Sequence, residues 1–373
     1  MSRTPARAVV AVLAAVVALG AGGCSPEVRS SQPDADSLVV ALNTSLGRHD
    51  RGAFLASFAA TAHAQATGAL WYDNLVQFAS VTFSAPTTDR LVVDAALPGE
   101  EEPGRHRLLP SLAVADGSTV ITAVRALQPA PIWGLEPIAV QPARGGTVLI
   151  ARRAPETVRA EWRHRLEAAA ESVHEARLGP LDDAWGGRLV IEVPGDALTF
   201  RSVTGTPPHL AAALTLREGS AYRIVVNPDL ADSRDEAFLD AVTAHEATHV
   251  AARTMEAAGS PGWAVEGLAE SVAASAHAAA AKENRRLVIQ FLAHHPAPGR
   301  LPTDAELEDE QEALTAYALA QVAVDAVLDR LGHDAGMRLL EGLVHHPTGI
   351  GEAELDQITR WYVSALRDLD GSA

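Results

Sequence analysis

The chain has 373 residues, 47% hydrophobic and 21% charged, a composition that supports a folded core and excludes a disordered polymer. Its formal net charge is −17, which repels nucleic acid and anionic lipid head groups, so neither is an expected partner. The length is enough for two globular domains once a leader is removed.

Met1 to Cys24 has the organisation of an export signal. Arg3 and Arg7 precede an apolar core from Ala8 to Leu19, and the small residues Gly20-Ala21-Gly22-Gly23 follow. The apolar stretch is short for a spanning helix. Removing Met1 to Gly23 takes Arg3 and Arg7 away and moves the net charge from −17 to −19. Cys24 is the only cysteine, which excludes a disulfide framework or a thiolate metal site within one chain. A lone cysteine after such a stretch resembles a bacterial lipoprotein lipobox, although position −3 is Ala21, where that pattern usually has leucine. The resemblance implies a signal peptide over residues 1–23 and a lipid on Cys24, anchoring the chain to the outer face of a bacterial cytoplasmic membrane. An ordinary signal peptide or an uncleaved anchor is the alternative. Residues 24–37, rich in Ser, Pro and Asp, then form a flexible tether.

Helical apolar spacing follows over Leu38 to Ala59 and Ala64 to Val81. From Arg90 the pattern turns strand-like over Leu91 to Ala96, Arg107 to Val114, Thr119 to Ala126 and Thr147 to Ala151, bounded by Gly, Pro and Asp-Gly signals. Helices followed by a meander imply a small α+β domain over residues 38–153. That order resembles the nuclear-transport-factor-like cone fold, in which helices close one side of a curved antiparallel sheet. A helix from Pro155 to Leu178 comes next, then a strand over Arg188 to Val193. Leu214 to Arg217 and Tyr222 to Asn227 make a hairpin around Glu218-Gly219-Ser220. The remainder is helical: Arg234 to Met255, Ala264 to Ala281, Glu283 to Ala293, Asp309 to Leu331, Ala335 to Leu343 and Glu352 to Leu369. The expected fold class is therefore α+β, with a boundary near Ala154 and a mostly helical second domain, residues 154–373, that includes a small sheet.

The stretch richest in chemistry is Thr243 to Arg253, which contains His-Glu-x-x-His as His245, Glu246 and His249. Residues four apart share a helix face, so both imidazoles reach one ion. Glu246 is rotated from His245 by ~100°, beside a metal instead of on it, where it can take a proton from water. Taken alone, the three side chains also fit ordinary helix contacts. The support lies downstream. Gly259-Ser260-Pro261-Gly262 turns the chain, and a second helix starts as Trp263-x-x-Glu266-Gly267-x-Ala269-Glu270. Glu266 lies in its first turn, placed to fold back toward the histidines and complete a three-ligand site with a fourth position open.

His-Glu-x-x-His followed by Trp-x-x-Glu-Gly-x-Ala-Glu resembles the gluzincin metallopeptidases, most closely the peptidase-MA-like group. The matching motifs cover Thr243 to Glu270. The resemblance implies a Zn2+ cofactor held by His245, His249 and Glu266, with Glu246 as general base and a peptide or protein as substrate. Glu270 falls where thermolysin-like members place an aspartate that braces a ligand histidine; a glutamate there departs from that pattern. Related enzymes also use a tyrosine or histidine from a downstream helix to stabilise the oxyanion. Tyr317 is the candidate, the alternative being a core aromatic beside Leu314 and Leu319; Tyr222 is a weaker one. In gluzincins an edge strand near the active helix pairs with extended substrate, and Tyr222 to Asn227 is either that edge or an interior strand.

Other groups have simpler readings. His294-His295 and His345-His346 stand near helix ends beside prolines, as capping or solvent-facing residues. Glu308 to Glu312 suits a helix start, and no calcium-loop pattern accompanies it. A reading that competes with the peptidase is a lipoprotein binding module, its zinc domain a catalytically inactive scaffold. A zinc hydrolase acting on another amide is a third.

Overall fold

The computed structural model describes residues 33–209, 211–229, 235–256 and 259–370. The expected signal peptide, Cys24 and all but the end of the tether lie outside them. The fold class is α+β.

Three helices open the described chain: α1 (Ala35–Gly47), α2 (Arg51–Leu55) and α3 (Ala62–Leu75). Each begins on a side-chain cap, with Asp34, Asp50 and Thr61 accepting from backbone N–H groups of their first turns. The single helix expected over Leu38 to Ala59 breaks after Gly47, where His49 turns left-handed (φ 54°) and Asp50 caps afresh. The tether's last residues, Ala35 to Ser37, are already helical because Asp34 caps them.

A four-stranded antiparallel sheet follows in the order β1-β2-β3-β4. Its strands are β1 (Ser80–Thr87), β2 (Arg90–Ala96), β3 (Gly104–Ala115) and β4 (Ser118–Ala126). β1 takes residues that sequence spacing assigned to the end of a helix. Its Phe83 backbone is held by the Asn43 side chain of α1, which donates to Phe83 O at 2.9 Å and accepts from Phe83 N at 2.8 Å.

The second sheet has five strands in the order β5-β6-β7-β9-β8. They are β5 (Ile138–Ala143), β6 (Gly146–Ala151), β7 (Leu189–Val193), β8 (Ala213–Glu218) and β9 (Ala221–Val226). β6-β7 and β7-β9 are parallel, and the two hairpins at the ends are antiparallel. Gly146 pairs with Leu189, and a Cβ there would stand 2.0 Å from the Leu189 carbonyl oxygen, so only glycine permits the register. The expected boundary at Ala154 falls between β6 and β7, yet these strands hydrogen-bond, so the sheet crosses it. The 222–227 strand is interior, and β8 is the sheet edge.

Period-two alternation explains how this sheet is covered on both faces. Val148, Ile150, Ile224 and Val226 face a helical core, whereas Leu149 and Val225 face the core built with α1 to α3 and the first sheet. The helical side consists of α4 (Glu156–Ala176), α6 (Glu236–Ala251), α7 (Gly262–Ala276), α8 (Ala278–Leu292), α10 (Ala313–Leu331), α11 (His333–His345) and α12 (Glu352–Asp370). Two short helices lie among the described residues as well, α5 (Ala197–Thr204) against the first core and α9 (Asp304–Leu307) beside α7.

The two sheets also meet through a buried polar cluster. Gly104 of β3 bridges Gly219, and a side chain at Gly104 would run into Arg223 and Glu218. Arg223 pairs with Glu100, and its Nε lies 3.4 Å from Glu218 and 3.9 Å from Glu192. His106 Nε2 lies 3.4 Å from Glu218 Oε2. Burial, and then the charge of Glu218, pushes the Glu192 carboxyl well above its ordinary range, with Arg223 opposing.

Candidate metal centre

α6 starts on Asp235, which accepts from Phe238 N at 2.8 Å, and continues without proline to Ala251. Ala244, Ala247 and Ala251 are fully buried, so the helix lies deep in the helical layer. α7 begins after Pro261, and Gly262 N donates to Asp304 Oδ1 of α9 at 3.0 Å. It crosses α10 at Gly267, where an added Cβ would lie 2.4 Å from Ala320 O.

These contacts bring the predicted ligands together. His245 Nε2 and His249 Nε2 are 3.0 Å apart, and Glu266 Oε2 lies 3.2 Å from the first and 3.4 Å from the second. Among the described residues, this is the one group of three or more His, Cys, Asp or Glu whose donor atoms converge as metal ligands would, all within 4.8 Å of one another. The imidazole rings stand edge to face, with centroids 4.8 Å apart. One turn of helix between residues 245 and 249 produces this arrangement.

The outer nitrogens of both rings are engaged. His245 Nδ1 lies 3.0 Å from Glu270 Oε1, and His249 Nδ1 lies 3.2 Å from Thr254 Oγ1. Glu270 thus sits on His245, as the sequence motif suggests. Thr254 was not anticipated; it follows the end of α6, where the chain folds back on its last turn, and only the short separation from His249 hints at it. Burial opposes ionisation of Glu266, yet the charge of His249 and hydrogen bonds from both imidazoles hold its carboxyl well below the usual range. Burial likewise opposes a charge on His245, but Glu266 and Glu270 overcome it and raise its pKa well above the ordinary value.

Glu246 is turned toward the sheet. Its Oε2 accepts from Thr215 Oγ1 of edge strand β8 at 2.7 Å, and the same hydroxyl reaches Glu246 O at 3.1 Å. Thr215 was missed because nothing local to a strand threonine indicates which helix it will face.

Tyr317 lies near His245, the two ring centroids 6.1 Å apart. Burial and the carboxylates of Glu266, Glu246, Glu270 and Glu308 push its phenol above the ordinary value. Leu314, expected beside it in a core, is exposed. Tyr222 is committed elsewhere: its hydroxyl donates to Glu256 Oε1 at 3.1 Å, and burial followed by that carboxylate pushes it up to about 12. The paired histidines near helix ends meet backbone carbonyls or a single carboxylate. His294, His295 and His345 meet Gln290 O, Phe291 O and Ala252 O, and His346 lies 3.4 Å from Glu341.

No family model matches this sequence, and the search of curated proteins gives no match. Among solved structures, the chain is similar to a mutant form of a two-domain M1 zinc metallopeptidase bound to L-arginine, with TM-score 0.35 and 14% identity. The same kind of protein bound to L-tryptophan aligns with TM-score 0.32 and 15% identity. Each alignment covers 79% of this chain and 59% of that one, so the chain spans about three fifths of their length. Likeness at that level carries no argument about activity, and the site stands on its own geometry.

Proposed function

We propose that the chain is a zinc metallopeptidase of the gluzincin type, working outside the cytoplasm and anchored by a lipid on Cys24. One observation carries the catalytic reading: the donor atoms of His245, His249 and Glu266 converge within 4.8 Å of one another.

The donor set fits the ion. Two imidazole nitrogens and one carboxylate oxygen are donors that suit zinc, and His245, His249 and Glu266 would hold it. Glu270 and Thr254 occupy both Nδ1 atoms, which leaves each Nε2 pointing toward the common centre. A divalent ion bound there would supply Lewis-acid polarisation of a scissile carbonyl and lower the pKa of water.

The remaining roles belong to side chains. Glu246 accepts the proton of the attacking water and returns it to the departing amine. Thr215 holds one of its oxygens, so the free oxygen has a defined direction. Tyr317, whose phenol stays protonated at neutral pH and whose ring centroid lies 6.1 Å from that of His245, is the donor for the developing oxyanion. Edge strand β8, which carries Thr215, offers backbone groups for an extended peptide beside the general base. Together these favour a peptide or protein substrate.

The location rests on the lipobox-like run ending at Cys24. Among the described residues no helix is long and apolar enough to cross a membrane. Expression with Cys24→Ser should move the chain from the membrane fraction to the soluble one; retention in the membrane would remove the lipid anchor from the account. For the activity, a peptide library is incubated with the zinc-loaded chain and with Glu246→Gln. Cleavage that disappears in the variant while zinc stays bound supports the peptidase. A zinc-loaded chain that cleaves no peptide would favour the binding-module reading.

A further inference from the structure

Beyond Glu270 runs a line of partly buried polar side chains that the proposed hydrolysis does not use. Glu270 Oε2 accepts from Asn284 Nδ2 at 2.6 Å, and the same nitrogen donates to Gln321 Oε1 at 2.9 Å. Gln321 Nε2 donates to Asp325 Oδ2 at 3.1 Å, and Ser271 Oγ donates to Asp325 Oδ1 at 2.6 Å. The line crosses three helices, with Glu270 and Ser271 on α7, Asn284 on α8, and Gln321 and Asp325 on α10.

Its direction follows from the chemistry of its ends. Ionised carboxylates only accept, so Asn284 must turn its NH2 group to Glu270, and Gln321 must turn its own to Asp325. The Gln321 carbonyl then faces the second N–H of Asn284. Flipping either amide would set a carbonyl oxygen against a carboxylate, so the network has one self-consistent arrangement.

The line also fixes helix docking. Tyr317, Gln321 and Asp325 recur every four residues along α10, which places them on one face. That helix meets α7 at Gly267, directly after the ligand Glu266.

We propose, resting on the metal site described above, that Asn284 and Gln321 are positioning residues: they lock the Glu270 carboxylate that aims His245, so metal affinity depends on helices α8 and α10, which carry no ligand. Without the Asn284 donor, Glu270 Oε2 loses that hydrogen bond, and the carboxylate can turn away from His245 Nδ1. The ring then loses its fixed tautomer and direction. Outer-shell changes of this kind typically weaken metal affinity by about 10- to 100-fold.

The test uses the purified chain and Zn2+ alone, competed against a chelator of known affinity, with Co2+ substituted in parallel for its visible spectrum. Asn284→Asp preserves the side-chain shape but replaces the donor with an acceptor. Zinc affinity is expected to fall about ten-fold or more, the Co2+ bands to shift, and the circular dichroism to stay that of the wild type. Gln321→Leu should weaken affinity in the same direction by a smaller factor. If Asn284→Asp does not fold, Asn284→Ala and Gln321→Leu are compared in its place. Folded variants with unchanged affinity and spectrum, beside a wild type that binds zinc, would overturn this proposal and leave the metal site standing. A folded wild type that binds no zinc would remove the metal site, and the proposal with it.

Discussion

Gly267→Ala probes the contact that brings the ligand helix against the tyrosine helix. The added Cβ would lie 2.4 Å from Ala320 O, 2.7 Å from Ala320 C and 2.8 Å from Val324 Cγ2. Two of these atoms are backbone and cannot rotate away, so α7 and α10 must move apart. Overpacking costs about 1–3 kcal/mol, and a backbone obstacle puts this site near ~3 kcal/mol. Alanine recovers about 1 kcal/mol over glycine through helix propensity. The net loss is about 2 kcal/mol, a fall in melting temperature of about 4–8 °C by the scaling for domains of moderate size, nearer the lower figure for a chain this long. Because Gly267 adjoins Glu266 and α10 carries Tyr317, zinc affinity should fall as well. Calorimetry of the zinc-loaded and chelated protein, with a parallel zinc titration, measures both effects. A variant melting at or above the wild-type temperature would show propensity gain without a clash, which would refute the close crossing.

Three further outcomes follow from the same geometry. Glu246→Gln should retain zinc and lower kcat by about 10²–10⁴-fold, the range for loss of a general base; steady-state kinetics with a matched zinc assay checks it. Thr215→Val should lower kcat with little change in KM, and Thr215→Ser, which restores the hydroxyl, should recover most of the loss; a variant with wild-type kcat would dismiss the role of Thr215. The third concerns the sheet-to-sheet cluster. The folded-state pKa of Glu192 is raised, chiefly by burial, so its neutral form contributes stability that is fully present below the unfolded carboxyl value and lost as pH rises through the folded one. Glu192→Gln stays neutral throughout, so its melting temperature should exceed that of the wild type increasingly from acid toward neutral pH. A constant offset across pH would contradict that sign.

The candidate site was legible to the extent that its chemistry is local. His245, Glu246 and His249 lie within two turns of one helix, and Glu266 with Glu270 opens the next, so helical spacing and one turn signal place all five. The side chains that orient them lie far away in sequence. Thr215 meets Glu246 across 31 residues, Asn284 meets Glu270 across 14, and Gln321 meets Asn284 across 37. Packing alone decides those meetings. The fold shows the same division. The hairpin of β8 and β9 was expected from its turn, but sheet order was not, and neither was the sheet's crossing of the expected domain boundary. The helix expected over Ala264 to Ala281 instead breaks at His277 (φ −127°, ψ 103°), where no glycine or proline marks the interruption. β1 and β5 went unread because each is half polar or proline-bearing and gains strand form from its partner.

In the proposed centre, His245 and His249 of α6 and Glu266 of α7 hold one metal ion. Elemental mass spectrometry of the purified chain, prepared without chelators and compared with His245→Ala, tests it most directly. About one zinc per wild-type chain is expected, and little in the variant. A well-folded wild type that holds no zinc, even after zinc is added back, would contradict it.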